Sequence, residues 1–219
     1  MKKDYTHITV ILDRTGSMES IRDDTIGGFN AFLKKQQAEK GTATLTLVQF
    51  DSQDPYEIIH RFKPIGDVPE LTRETFVPRA TTPLLDAIGR GINDLEASLG
   101  EIKKAALPSK VVFVVVTDGR ENASREFRKD QIEKMVKEKT GKSDWQFVFL
   151  SADLDAIGDA MAVGIHADAV LMFQKSGKGS ADAWASLSEQ TSDYRTDRKK
   201  KVGFDQHDRK HPDDPGKKV

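Results

Sequence analysis

Asp13, Thr15 and Ser17 stand at alternate positions in the segment DRTGSM, directly after the apolar, β-branched run at residues 8–12. Alternate residues of an extended turn point the same way, so both hydroxyls can aim at one point, with Gly16 letting the backbone bend between them. A carboxylate and two hydroxyls form an all-oxygen cluster suited to a hard cation such as Mg²⁺ or Mn²⁺. If residues 8–12 form a strand, the cluster lies at its carboxyl end, where an open α/β sheet keeps its ligand site.

The surrounding elements must hold such a cluster still. Residues 6–12 are nearly continuously apolar, the mark of a strand buried on both faces. A helix is expected from Ser17 or Glu19 to about Glu39, with Ile21, Phe29, Phe32 and Leu33 inward and Gly41 ending it; Gly27 and Gly28 inside it are expected to pack close against the sheet. Residues 42–50 and 56–62 read as a hairpin around the turn residues 51–55. Residues 63–80 carry Pro64, Pro69 and Pro78 and read as a long loop with at most one helical turn. Thr82 and Pro83 resemble a helix start, and Leu84, Ile88, Ile92, Leu95 and Leu99 form an apolar stripe behind them. Residues 110–117 are the strongest strand, stopped by Asp118 and Gly119. Asp130 with Glu133 suggests a capping box for a following helix. Residues 145–150, 155–163 and 167–173 then read as strand, helix and strand. Strands alternating with helices imply an α/β Rossmann-like sandwich, with a mostly parallel sheet covered on both faces.

Three segments occur in order: DRTGSM, TTPLLDAI at residues 81–88 and VVVTDGREN at residues 114–122. Together they resemble the metal-ion-dependent adhesion site of von Willebrand factor A domains, over roughly residues 5–173, and the chain looks like the stand-alone bacterial or phage type. The resemblance implies a six-stranded sheet of order 3-2-1-4-5-6 with strand 3 antiparallel. It also implies a metal site of Asp13, Thr15, Ser17, Thr82 and Asp118. In that pattern Ser17 and Thr15 ligate directly, Thr82 directly or through water, and Asp13 and Asp118 largely through water. With only two anionic groups, the ion keeps its appetite for one more carboxylate, so the implied function is a non-enzymatic protein-binding module that accepts an Asp or Glu from a partner protein.

Each residue also has a plainer role open to it. Thr82 can be only a helix cap, with Thr81 as the ligand instead; Ser17 can cap the first helix, and Asp118 with Gly119 can be a strand-ending turn. Arg14 and Arg120 read as surface residues that could select an acidic partner, and Glu121 as a solvated one. Trp145 and Trp184 read as packing residues. The competing function is a Mg²⁺-dependent phosphoryl-transfer or hydrolase enzyme using Asp13 as nucleophile. Phosphatases of that kind place a second Asp two residues on, where this chain has Thr15. No histidine lies in the three segments, and no glycine-rich nucleotide loop follows the first strand.

Composition sets the outer limits. The chain has 219 residues, 37% of them hydrophobic, enough for one core-bearing domain with additions. A net charge of -1 advertises neither nucleic acid nor an anionic membrane as partner. With no cysteine, thiolate metal sites and disulfides are excluded. No signal-like or membrane-spanning apolar run is seen, so the expectation is a soluble cytoplasmic protein. The expected division is an A-type domain at 1–173, a linker and C-terminal helix at 174–194, and a charged, disordered or loosely attached tail at 195–219. The basic run 199–201 in that tail is read as solvated.

Overall fold

The computed structural model describes residues 2–209. Its elements alternate as β1 (Lys2–Asp13), α1 (Arg22–Ala38), β2 (Thr42–Phe50), β3 (Glu57–Pro64), α2 (Leu84–Glu101), β4 (Pro108–Thr117), α3 (Lys129–Ser143), β5 (Gln146–Ser151), α4 (Leu154–Ala162), β6 (Val170–Met172) and α5 (Gly177–Arg195). The six strands form one sheet in the order β3-β2-β1-β4-β5-β6. Every pairing is parallel except β2 with β3. The expected Rossmann-like topology is therefore the observed one.

The apolar strands lack alternation because each face of the sheet has its own helical cover. Ile8, Val10 and Leu12 of β1 and Val112, Val114 and Val116 of β4 pack with Phe29 and Phe32 of α1 and Trp184 and Leu187 of α5. Ile11, Val111, Phe113 and Val115 point the other way, into the cluster built by α2, α3 and α4. Period-two pointing puts successive residues on opposite faces, so a strand covered on both sides must be apolar throughout.

This topology decides where the site falls. From β1 the chain passes to β2 on one side, and after β3 it returns to β4 on the other. The crevice at the carboxyl ends of β1 and β4 is thus the point at which the strand order reverses, the place where such sheets bind ligands. Leu12 is level with Val116, which sets Asp13 beside Thr117 and Asp118 at the rim.

Several local expectations are corrected. Gly28 faces α5 rather than the sheet, since a methyl there would come within 2.1 Å of Trp184 Cδ1, while Gly27 has nothing within 4 Å. The α3 helix starts two residues early, after Arg128, whose N–H donates to Gln131 Oε1 at 2.9 Å; Asp130 and Glu133 are not its capping box. The last strand is only Val170–Met172, and the expected C-terminal helix is α5, which begins at Gly177. Residues 195–209 are not a loose tail: Val202 and Phe204 are buried in the α1/α5 core, and Phe204 N donates to the Asp168 carbonyl at 2.6 Å. Lys110 Nζ caps the end of α5 through the carbonyls of Tyr194 and Arg195, at 2.7 and 2.9 Å. The remainder of the expected tail, 210–219, lies outside the described residues. Among the described residues no helix is long and apolar enough to cross a membrane.

Candidate metal centre

Asp13 ends β1 and is fully buried. Both its oxygens are held: Thr15 N–H donates to Oδ1 at 2.7 Å and Thr117 Oγ1 donates to Oδ2 at 2.6 Å. The Thr117 bond ties the ends of β1 and β4 to each other, and Thr117 Oγ1 in turn accepts from Gly119 N–H at 3.2 Å. Burial pushes the Asp13 carboxyl up to about 7; the hydrogen bonds from Thr117 and Thr15 oppose the shift, and the charge of Asp118 adds to it.

After Asp13 the chain turns into a short 3-10 segment, Gly16–Ile21, which brings Ser17 back over the strand ends. Ser17 Oγ donates to Asp118 Oδ1 at 2.6 Å, and Thr15 Oγ1 lies 3.2 Å from Ser17 Oγ. With the Ser17 proton given to Asp118, the Thr15 hydroxyl is the donor in the second contact, and lone pairs on both hydroxyls remain for a cation. Ser17 is not a helix cap, for the 3-10 segment has Thr15 before it and α1 has Ile21, neither with a side-chain cap bond.

Gly119 marks the spot on which the segments converge. A methyl built there would sit 3.5 Å from Ser17 Oγ and 3.9 Å from Thr82 Oγ1. Thr82 is buried and Thr81 is exposed. Nor does Thr82 cap α2: the helix begins at Leu84 with Pro83 at its N-cap position and no side-chain cap bond. All five residues expected from the sequence, Asp13, Thr15, Ser17, Thr82 and Asp118, are thus brought to one rim of the sheet.

The donor set fits a hard cation. It comprises two carboxylates and three hydroxyls, all oxygen. Asp118 Oδ2 is buried and receives no well-directed hydrogen bond; its neighbour is the Lys175 ammonium at 2.5 Å. Among the described residues no group of three or more His, Asp or Glu side chains is placed to hold a metal. The hydroxyls therefore make up the larger part of this site.

A ring of positioning groups supports the cluster. Arg14 is buried, not superficial: its Nε donates to Asp51 Oδ2 at 2.7 Å, while Arg79 Nε reaches the same oxygen at 2.9 Å. Burial alone would raise the Asp51 carboxyl, but the Arg14 and Arg79 guanidinium groups and the amides of Gln53 and Asp54 hold it below its ordinary value. The bond from Gly16 N–H to the Ala80 carbonyl, at 3.0 Å, pins the second segment to the first. Asn122 grips Thr82 twice, accepting its N–H at 2.8 Å and donating to its carbonyl at 3.0 Å. Glu121, expected to be solvated, instead accepts Leu85 N–H at 2.8 Å and so caps α2. Arg120 is exposed as expected, paired with Asp153 and Asp155. Thr117, Asn122 and the Arg14–Asp51 pair were missed from the sequence, which carries no signal for partners this distant along the chain.

No protein-family model and no curated protein matches the sequence. Solved structures do. A von Willebrand factor type A protein from Catenulispora acidiphila aligns with a TM-score of 0.57 at 10% identity, covering 86% of this chain and 43% of that one. The chain has the fold of a von Willebrand factor A domain. The same A-domain fold aligns at a TM-score of 0.57 and 14% identity with proximal thread matrix protein 1 of the mussel byssus, solved with a zinc-occupied metal-ion-dependent adhesion site, over 86% of this chain and 46% of that one. Manganese-loaded TRAP protein of Plasmodium vivax aligns at 0.56 and 12% identity, over 80% and 70%. The chain spans less than half the length of the first two. Likeness at these identities carries the fold alone, so the candidate metal centre rests on its own geometry.

Proposed function

We propose that this A domain is a non-enzymatic, divalent-cation-dependent protein-binding module. Asp13, Thr15, Ser17, Thr82 and Asp118 hold Mg²⁺ or Mn²⁺ in this reading, and the occupant of the open coordination position is an Asp or Glu side chain of a partner protein. The observation that carries it is the convergence of Ser17, Thr82 and Asp118, from three separate segments, beside Gly119.

The bound ion supplies Lewis acidity toward an incoming carboxylate. Ser17 and Thr15 contribute oxygens without charge, so the centre holds two anionic side chains and favours a third from outside. Asp13, with both oxygens already engaged, orients the cluster and acts through water. The zinc-occupied site of the mussel protein and the manganese-loaded Plasmodium protein support a divalent ion in an A domain of this shape.

The competing enzyme reading requires Asp13 to present a free oxygen to a phosphate. Its complete burial and its two hydrogen bonds support the binding reading instead. A domain of the stand-alone bacterial or phage type is the setting we infer, on the sequence resemblance alone.

The test is water-proton relaxation of the Mn²⁺-loaded protein titrated with a short Asp-containing peptide. A carboxylate entering the coordination sphere displaces a bound water and lowers the relaxation enhancement, and the matching Asn peptide leaves it unchanged. Equal responses to the two peptides would overturn the acidic-partner reading.

A further inference from the structure

Lys175 lies in the short connection between β6 and α5, and its ammonium reaches Asp118 Oδ2 at 2.5 Å. That oxygen is buried and takes no well-directed hydrogen bond from any other described residue. The other cations near the rim are committed elsewhere. Arg14 pairs with Asp51 and Glu57, Arg79 with Asp51, and Arg120 with Asp153 and Asp155. Among the described residues Lys175 is thus the one cation ion-paired with a carboxylate of the cluster. Its side chain is 38% exposed, so the flexible stem can swing toward solvent without disturbing the core.

We propose that Lys175 is a tethered counter-ion of the metal centre, balancing Asp118 in the metal-free protein and competing with the divalent ion for it. The inference rests on the metal-binding reading above. A divalent ion held beside Asp118, directly or through water, stands close to the Lys175 ammonium, and the two cations repel at that distance. Lys175 accordingly sets the concentration at which the site fills, and with it the concentration at which the protein becomes competent for an acidic partner. The sequence motif alone does not contain this control, because Lys175 lies in none of the three motif segments.

The experiment is calorimetric titration of the full chain with Mg²⁺ and with Mn²⁺, comparing wild type, Lys175→Met, Lys175→Arg and, as a site control, Asp118→Asn. Removing the charge while keeping the stem should tighten metal binding about tenfold, whereas Lys175→Arg should stay within about twofold of wild type. In chelator Lys175→Met should melt below wild type, with the deficit closing at saturating metal, because Asp118 is then left without a counter-charge. A merely structural lysine would give equal or weaker metal binding in Lys175→Met, and that result overturns the proposal while leaving the metal site standing. If neither wild type nor Lys175→Met binds either ion, the metal reading fails and takes this inference with it. The behaviour of the wild type tells the two failures apart.

Discussion

Ser17 Oγ and Asp118 Oδ1 stand 2.6 Å apart across 101 residues of chain. Nothing local joins them. They meet because β1 and β4 are parallel neighbours that end level at the point where strand order reverses, and because the turn after Asp13 folds back over both strand ends.

Gly119 sits beside that meeting point. Replacing it with leucine places a side chain against Ser17 Oγ and Thr82 Oγ1. Gly119→Leu is expected to abolish stabilisation by Mg²⁺ while changing stability in chelator by no more than about 1 kcal/mol, as usual for a change away from the core. Thermal melts with and without the ion check this, and retained metal stabilisation would place the site elsewhere.

His7 gives the fold a defined sensitivity to acid. It is fully buried, hydrogen-bonded through its two ring nitrogens to Thr44 at 2.8 Å and Thr9 at 3.1 Å, and stacked on Phe62. Burial lowers its pKa from 6.5 to about 3. The unfolded chain therefore takes up a proton below pH 6.5 that the folded chain refuses until about pH 3. The stability associated with neutral His7 is complete above 6.5 and is lost as pH falls toward 3, at up to about 1.4 kcal/mol per pH unit. Denaturant unfolding of wild type and His7→Gln across this range should give curves that diverge in wild type's disfavour on acidification. Parallel curves would contradict it.

Adjacent glycines of α1 should respond in opposite directions to alanine. Gly27 meets nothing within 4 Å, so Gly27→Ala should stabilise by up to about 1 kcal/mol through helix propensity. Gly28 is packed under Trp184, which meets Phe29 edge-on at 6.0 Å, and Gly28→Ala should destabilise by about 1–3 kcal/mol through overpacking. Urea midpoints of the two variants measure the contrast, and stabilisation by both would show that α5 yields freely.

The contrast between legible and hidden features follows from the range of each interaction. Continuous apolar strands such as residues 111–116 announce burial on both faces, so the layered sheet could be read directly. Asp13, Thr15 and Ser17 are close in sequence, and the segments of Thr82 and Asp118 carry their own motif residues. Arg14 was misread as superficial because its partner Asp51 belongs to a neighbouring strand end 37 residues away. Glu121 and Asn122 accept from backbone N–H groups of another segment, and backbone donors leave no mark in a sequence. Val202 and Phe204 carry no sequence signal of burial because two apolar residues amid lysines and aspartates show no period.

The most direct measurement of the central claim is calorimetric titration of Mg²⁺ or Mn²⁺ into wild type and Ser17→Ala, with unfolding in chelator as the control for folding. Convergence of these oxygens on one ion predicts a single saturable site in wild type, weakened at least tenfold (about 1.4 kcal/mol) in a Ser17→Ala protein that still folds. Equal metal affinity in the two proteins, or no binding in either, would contradict it.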